Sequence, residues 1–307
     1  MYCAFVRLYV TRTSARYIAT LMKQSFAGQL RLEPATDLHT HTTCSDGSLS
    51  PQDLVRKACE YQISVLGICD HDTTEALEIA TQLSVHTPVD VLPGCELTCA
   101  ESGKEFHLLA YCFDATEDSF QQYLAGTRKL RVDRCEIMLG RLRGIDVDIH
   151  MDDVLRFAGG ASIVRPHIAQ SLIAKGYVQS TQEAFDKYLS NHGPVYVPIP
   201  DQTLDNAIKV IHNAGGIAVI AHPARNIQTS RIVELIAAGL DGVETFYPKH
   251  TRQQTRYYHS LVKSYNLLAT GGSDFHGNRP FDDQNFGGFS VELSTIDAMR
   301  SMAQKYR

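Results

Sequence analysis

The stretch "DLHTHTTCSDG", Asp37 to Gly47, gathers two histidines and two aspartates into eleven residues. On a strand, side chains two positions apart share a face, so His39 and His41 would point the same way, a geometry suited to chelation. A polar strand end followed by a turn at Gly47 would look much the same, so this stretch decides nothing alone. Further along lie Asp70-His71-Asp72, Glu96 in "PGCE", His107, His222 in "AHP", and Asp274 and His276 in "GSDFH". Any one of these would read as a hydrogen-bonded structural residue. Together they bring His, Asp or Glu from six segments, and burying so many ionisable groups without a cation would be very costly. Divalent metals remove that cost. Nine candidate groups exceed the four to six or so ligands that one ion takes, so two or three ions fit better.

The elements that must position these groups follow from pattern. From Thr36 onward short apolar runs alternate with helical stretches, which predicts βα units around a largely parallel sheet. Strands are expected at "ISVLGICD", "VDVLPGCE", "FHLLAYCF", "GIAVIAH", "LDGVETF" and "LLATGGSD". In such sheets functional residues gather at the C-terminal strand ends, where the loops converge. His39 and His41, Asp70 to Asp72, Glu96, His222, and Asp274 with His276 obey that rule, and Asp46 follows in the first loop. His107 stands near the start of its strand and is the exception. Ser50 before Pro51, and Thr203 ahead of a run ending at Gly215 and Gly216, mark helix starts. From about residue 115 to 200 the pattern turns to helices alone, with a capping box expected at Ser180 and Glu183. The predicted layout is an N-terminal extension over 1–35, an α/β barrel over 36–114 and 201–293, a helical insert over 115–200, and a C-terminal helix or tail over 294–307.

Composition bounds the function without naming it. The 307 residues are 44% apolar and 21% charged, ordinary values for a globular chain and neither disordered nor membrane-embedded. A net charge of −5 argues against a generally basic, nucleic-acid-coating surface, so any phosphate site must be local. The 8 cysteines show no repeated short spacing and read as reduced thiols of a cytoplasmic protein, Cys95 and Cys99 as small buried hydrophobes. The basic segment up to Pro34 has neither the pattern of a secretory signal nor transmembrane length, and is expected to be an extension dispensable for catalysis.

In their order, "DLHTHTTCSDG", "CDHDT", "PGCE", "AHP" and "GSDFH" resemble the PHP (polymerase and histidinol phosphatase) superfamily of metal-dependent phosphoesterases, from about Thr36 to Glu292. The resemblance implies a distorted seven-stranded (β/α) barrel and a trinuclear site. His39, His41, Glu96 and Asp274 would surround one ion; Glu96 would bridge to a second, completed by His107 and His222. Asp46, His71 and His276 would hold the third, with Asp37 and Asp72 orienting the imidazoles beside them. Water activated by the ions would attack phosphorus, with Asp274 a candidate proton acceptor. Manganese is the first candidate metal, with iron and zinc as alternatives.

The insert, with "SIVRPHIAQSLIAKG" and "KYL", is similar to the subgroup that hydrolyses 3',5'-nucleotide bisphosphates and degrades short 5'-phosphorylated RNA from its 5' end. Arg165 and His167 of the insert, and Arg225 just after His222, are the expected substrate contacts, since a guanidinium holds phosphate in a fork. Where the subgroup tends to carry a basic residue after "KYL", this chain offers Asn191 and His192. The competing readings are a histidinol-phosphate phosphatase, with the same metals and a different pocket, and a non-catalytic PHP binding module. The filled ligand positions speak against the second. No obligate protein partner and no membrane are expected.

Overall fold

A seven-stranded sheet with strands in sequence order organises the chain. The computed structural model describes residues 35–223 and 227–307. The expectations for Arg225 and for the N-terminal extension up to residue 34 lie outside the described residues. The strands are β1 (Ala35–Thr40), β2 (Ile63–Ile68), β3 (Asp90–Glu101), β4 (Lys104–Tyr111), β5 (Ile217–Ile220), β6 (Gly242–Phe246) and β7 (Leu268–Gly271). The His41 N–H donates to the Phe275 carbonyl at 2.9 Å and the Asp274 N–H to the His39 carbonyl at 2.9 Å, tying the end of the first strand to the segment after the last.

The expected parallel pattern fails in one place, and that place matters. β3 runs on past Glu96 to Glu101 and turns back into β4, which is antiparallel to both β3 and β5. All other neighbours are parallel. The start of β4 therefore lies beside the end of β3, with Thr98 paired to His107. This reversal delivers His107 to the same edge as the ends of the parallel strands.

Helices cover the sheet as the sequence signals predict. Pro51–Glu60 begins with Pro51 at its first position and the Ser50 side chain accepting from the Asp53 N–H; Leu204–Asn213 begins with Thr203 accepting from the Asn206 N–H. Each cap satisfies a donor that has no partner inside its helix. Ser180 likewise accepts from the Glu183 N–H, but the Glu183 carboxylate takes the N–H of Gln179 rather than of Ser180. The box expected there is displaced by one residue.

Between β4 and β5 the chain is helical, led by Asp118–Arg143. Residues from Cys135 to Val195, including Met138, Leu142, Ile168, Leu172 and Leu189, form their own apolar cluster. Polar pins run from the long helix to the sheet. Arg131 donates from Nε to Asp72 Oδ2 at 2.6 Å and from Nη2 to the Thr98 hydroxyl, while Arg128 donates to the Asp72 carbonyl at 2.7 Å. The C-terminal helix Leu293–Ala303 packs Ile296, Met299 and Ala303 into a cluster with Leu38 and Val219.

Candidate metal centre

The first loop is shaped by its own polar residues. Asp70 accepts from the Thr42 N–H, the Thr42 hydroxyl and the Ser45 hydroxyl at 2.8, 2.6 and 2.5 Å, folding the segment between His41 and Asp46 against the end of β2. Gly47 serves here by its size: a Cβ would lie 2.4 Å from the His41 carbonyl oxygen. Its φ is not in the left-handed region, so close approach rather than turn freedom selects glycine.

Glu96 stands at the centre, 1% exposed. Its Oε1 lies 2.7 Å from His107 Nδ1 and 2.9 Å from His222 Nε2; its Oε2 lies 3.1, 3.2 and 3.4 Å from ring nitrogens of His39, His41 and His71. One carboxylate thus faces five imidazoles. Asp274 turns Oδ1 to His39 and His41 at 3.8 and 3.3 Å. Asp46 Oδ1 lies 3.1 Å from His276 Nε2 and 3.9 Å from His71 Nε2.

Three groups have ligand atoms all within 4.8 Å of one another: His39, His41, Glu96 and Asp274; His41, Asp46, His71 and His276; and His71, Glu96 and His107. All nine expected ligand residues are thus brought to one place, His222 through its contact with Glu96. Beside Glu96 and His107, the third group contains His71 where the resemblance implied His222.

These residues fit bound divalent metal on direct physical grounds. Asp46 Oδ1, His71 Nδ1 and both ring nitrogens of His107 are buried and make no well-directed hydrogen bond, despite close approaches to Glu96, Glu105 and His276, an arrangement that is costly unless a cation takes the lone pairs. The charges agree. Burial pushes the Glu96 and Asp46 carboxyls up, but the surrounding histidines outweigh it and hold both well below the usual carboxylate range. Burial pulls the imidazoles down, yet Asp274 and Glu96 raise His41 to about 9, and Glu96 with Glu105 raises His107 to about 10. The backbone is also strained here, with Asp274 at φ 54° and His222 at φ 31°. Left-handed conformations at non-glycine residues are uncommon and concentrate where a site over-determines them.

The expected partners of the imidazoles need correction. Asp37 accepts backbone N–H groups of Ser273 and Gly287 at 2.8 Å each, and burial raises its carboxyl to about 6. Asp72 takes the Thr98 N–H and hydroxyl at 2.7 Å each, together with Arg131. Both brace loops, and neither orients a ring. For His39 that task falls to Glu244 of β6, whose Oε1 lies 2.8 Å from His39 Nδ1, while its Oε2 accepts the backbone N–H of His222 at 2.8 Å and holds the chain there. With its proton held at Nδ1, His39 presents an Nε2 lone pair to the centre. Tyr247, whose hydroxyl donates to Asp274 Oδ2 at 3.0 Å, and Arg279 were also missed. A lone acid in the buried strand "GVETF" was the available signal for Glu244.

Beside the centre, Glu105, His107, Arg165, Asn191, His222 and Ile227 line a cavity of about 140 Å³. Arg165 donates to the Leu189 carbonyl at 3.1 Å and to Asn191 Oδ1 at 2.8 Å, and stands 3.6 Å from Glu105. Asn191 therefore steadies the guanidinium. His167 is 2% exposed, accepts the Val164 N–H through Nδ1 at 3.3 Å and does not line that cavity.

An α/β sheet carrying a cluster of histidines and carboxylates at one edge defines the class, and comparison with known proteins gives the family. The PHP domain family matches residues 37–225. The chain is 32% identical over 252 residues to the 5'-3' exoribonuclease Rnm of Escherichia coli, covering 80% of this chain and 86% of that protein. It is 29% identical over 246 residues to the 3',5'-nucleoside bisphosphate phosphatase of Chromobacterium violaceum, covering 78% and 86%. A solved structure from Bifidobacterium adolescentis, assigned as a metal-dependent phosphoesterase, superposes with a TM-score of 0.81 at 31% identity over 88% of this chain and 96% of that one. The chain belongs to the PHP domain family. It is a metal-dependent phosphoesterase.

Proposed function

We propose that this enzyme removes the 3'-phosphate of nucleoside 3',5'-bisphosphates, on two or three divalent ions held by His39, His41, Asp46, His71, Glu96, His107, His222, Asp274 and His276, with Mn2+ the first candidate. The observation that carries this reading is the cavity shared by His107, His222 and Arg165. It sets one arginine beside the metal cluster, where a second phosphate of the same substrate would lie. Similarity to a nucleoside bisphosphate phosphatase supports it. Similarity to the exoribonuclease favours a second substrate, the 5'-phosphorylated end of a short RNA.

Bound divalent metal supplies a lowered pKa for water and charge to offset that on the phosphoryl oxygens. The chain's own residues do the rest. Glu244 fixes the His39 tautomer, and the Tyr247 hydroxyl at Asp274 Oδ2 leaves Oδ1 turned to His39 and His41. Arg165 binds the phosphate that is not cleaved. A carboxylate already engaged by Tyr247 is a weak proton acceptor, so the role of Asp274 is to bind and orient.

We infer also that the strands close as a distorted barrel, supported by the backbone bonds joining His39 of β1 and His41 just after it to the segment after β7. The helical stretch over 115–200 acts as the substrate-binding insert, supported by its separate apolar cluster. The seven described cysteines are all free, which fits a reducing compartment such as the cytoplasm. No helix among the described residues is long and apolar enough to cross a membrane.

The test is phosphate release from adenosine 3',5'-bisphosphate, histidinol phosphate and a short 5'-phosphorylated RNA by enzyme loaded with Mn2+. The bisphosphate is expected to give the highest kcat/KM. Preference for histidinol phosphate would overturn the assignment, and preference for RNA would promote the second reading over the first.

A further inference from the structure

Arg279 is the one arginine whose guanidinium stands among the candidate metal ligands of the described residues. Its Nη2 lies 2.6 Å from His276 Nε2, its Nη1 3.2 Å from Asp274 Oδ2, and Nη2 is 3.7 Å from Asp46 Oδ2. His276 Nδ1 is turned to the Asp274 carbonyl at 2.7 Å, so Nε2 carries the lone pair and accepts from the guanidinium. That lone pair is the one His276 would offer an ion in the group with His41, Asp46 and His71. Zn2+ bound to an imidazole sits about 2.0–2.1 Å from the nitrogen, and another divalent ion on the same lone pair would lie close to that point. It would occupy the space of Arg279 Nη2, so guanidinium and ion exclude each other at His276.

The other end of the cluster is not affected. Arg279 and the Tyr247 hydroxyl bind Asp274 through Oδ2, while His39 and His41 face Oδ1. An ion among His39, His41, Glu96 and Asp274 can therefore bind with the arginine in place. The arm is anchored where it could release: Asp282 Oδ2 accepts the backbone N–H groups of His276 and Arg279, holding the loop, and the Arg279 side chain itself is 34% exposed.

We propose that Arg279 is a built-in cation that competes with the ion held by Asp46 and His276, so that the centre loads in steps, the His39 end first and the Asp46 end last and most weakly. Losing the arginine removes the competitor together with its positive charge. This rests on the metal-centre reading, and the experiment separates the two.

Wild type, Arg279→Gln and Arg279→Lys are stripped with chelator, and Mn2+ binding is followed by calorimetry and by metal analysis after dialysis. The Gln variant is expected to bind its weakest ion about ten- to a hundredfold more tightly than wild type, the range for one charged hydrogen bond. The Lys variant, which keeps the charge and loses the fork, should fall between them. In the metal-free state, the Gln variant should melt below wild type, because Asp46 and Asp274 lose their resident cation, and saturating Mn2+ should erase or reverse that difference. Equal affinities in all three proteins, or a weaker last ion in the Gln variant, would overturn the proposal. Failure of every form, wild type included, to bind Mn2+ would instead overturn the metal centre and this proposal with it.

Discussion

His39 Nδ1 lies 2.8 Å from Glu244 Oε1, and both side chains are fully buried. The contact joins the first strand to the sixth and sets which nitrogen of His39 carries the proton. Outer partners of this kind typically change metal affinity about ten- to a hundredfold. Glu244→Gln keeps the volume and discards the charge. Its Mn2+ affinity is expected to fall by about that factor while the fold survives, as read by dialysis against buffered Mn2+ and by circular dichroism. An unchanged affinity would show that Glu244 merely fills space.

A second contact of consequence joins Arg131 to Asp72. Both are buried, and removal of one partner from a buried pair strands the other charge, at a cost of about 3–5 kcal/mol. Arg131→Met should lower the denaturation midpoint accordingly. Combining it with Asp72→Asn should lose less than the sum of the single variants, because the two side chains share one interaction. Additive losses would deny the coupling between the helical segment and the loop that carries His71.

What the sequence allowed to be read, and what it hid, divides along physical lines. The rim residues were legible because each stands at or next to a strand end, where alternation and turn residues mark the position. His107 broke that rule only because β3 and β4 form an antiparallel hairpin, which a run of apolar residues does not distinguish from a parallel unit. Asp37 and Asp72 were expected to orient the imidazoles beside them, but backbone N–H groups take Asp37, and Thr98 and Arg131, distant along the chain, take Asp72. Glu244 was hidden by distance along the chain, 205 residues from His39. Arg279 was hidden because its role depends on where a loop places a flexible side chain.

Gly272 offers a test of how closely the segment after β7 must approach the first strand. A Cβ there would lie 2.5 Å from both the Cβ and the backbone N of His39. Backbone cannot yield as a side-chain tip can, so Gly272→Ala should displace His39, weaken Mn2+ binding and lower the melting temperature. Gly126, exposed within the helix Asp118–Arg143 and with nothing within 4 Å of an added Cβ, is the control. Gly126→Ala should stabilise by about 0.5–1 kcal/mol through helix propensity. Equal behaviour of the two variants in thermal denaturation would remove the steric argument.

Selectivity between substrates tests the proposed role of Arg165. Ions at the centre grip the phosphoryl group being cleaved and would treat most monoesters alike, so recognition of a second phosphate needs its own partner. Arg165 lines the cavity beside His107 and His222, held by the Leu189 carbonyl and Asn191. A preset guanidinium loses less freedom on binding than a mobile one, which favours affinity. Charged hydrogen bonds are worth about 1.5–3 kcal/mol, or roughly ten- to a hundredfold. Arg165→Ala should therefore lower kcat/KM for adenosine 3',5'-bisphosphate by about that factor, with hydrolysis of a small aryl phosphate nearly unchanged. Asn191→Ala, which frees the guanidinium without removing it, should give a smaller loss on the bisphosphate alone. Equal losses on both substrates would move Arg165 to the reacting phosphate, and no loss on either would leave it a structural partner of Asn191.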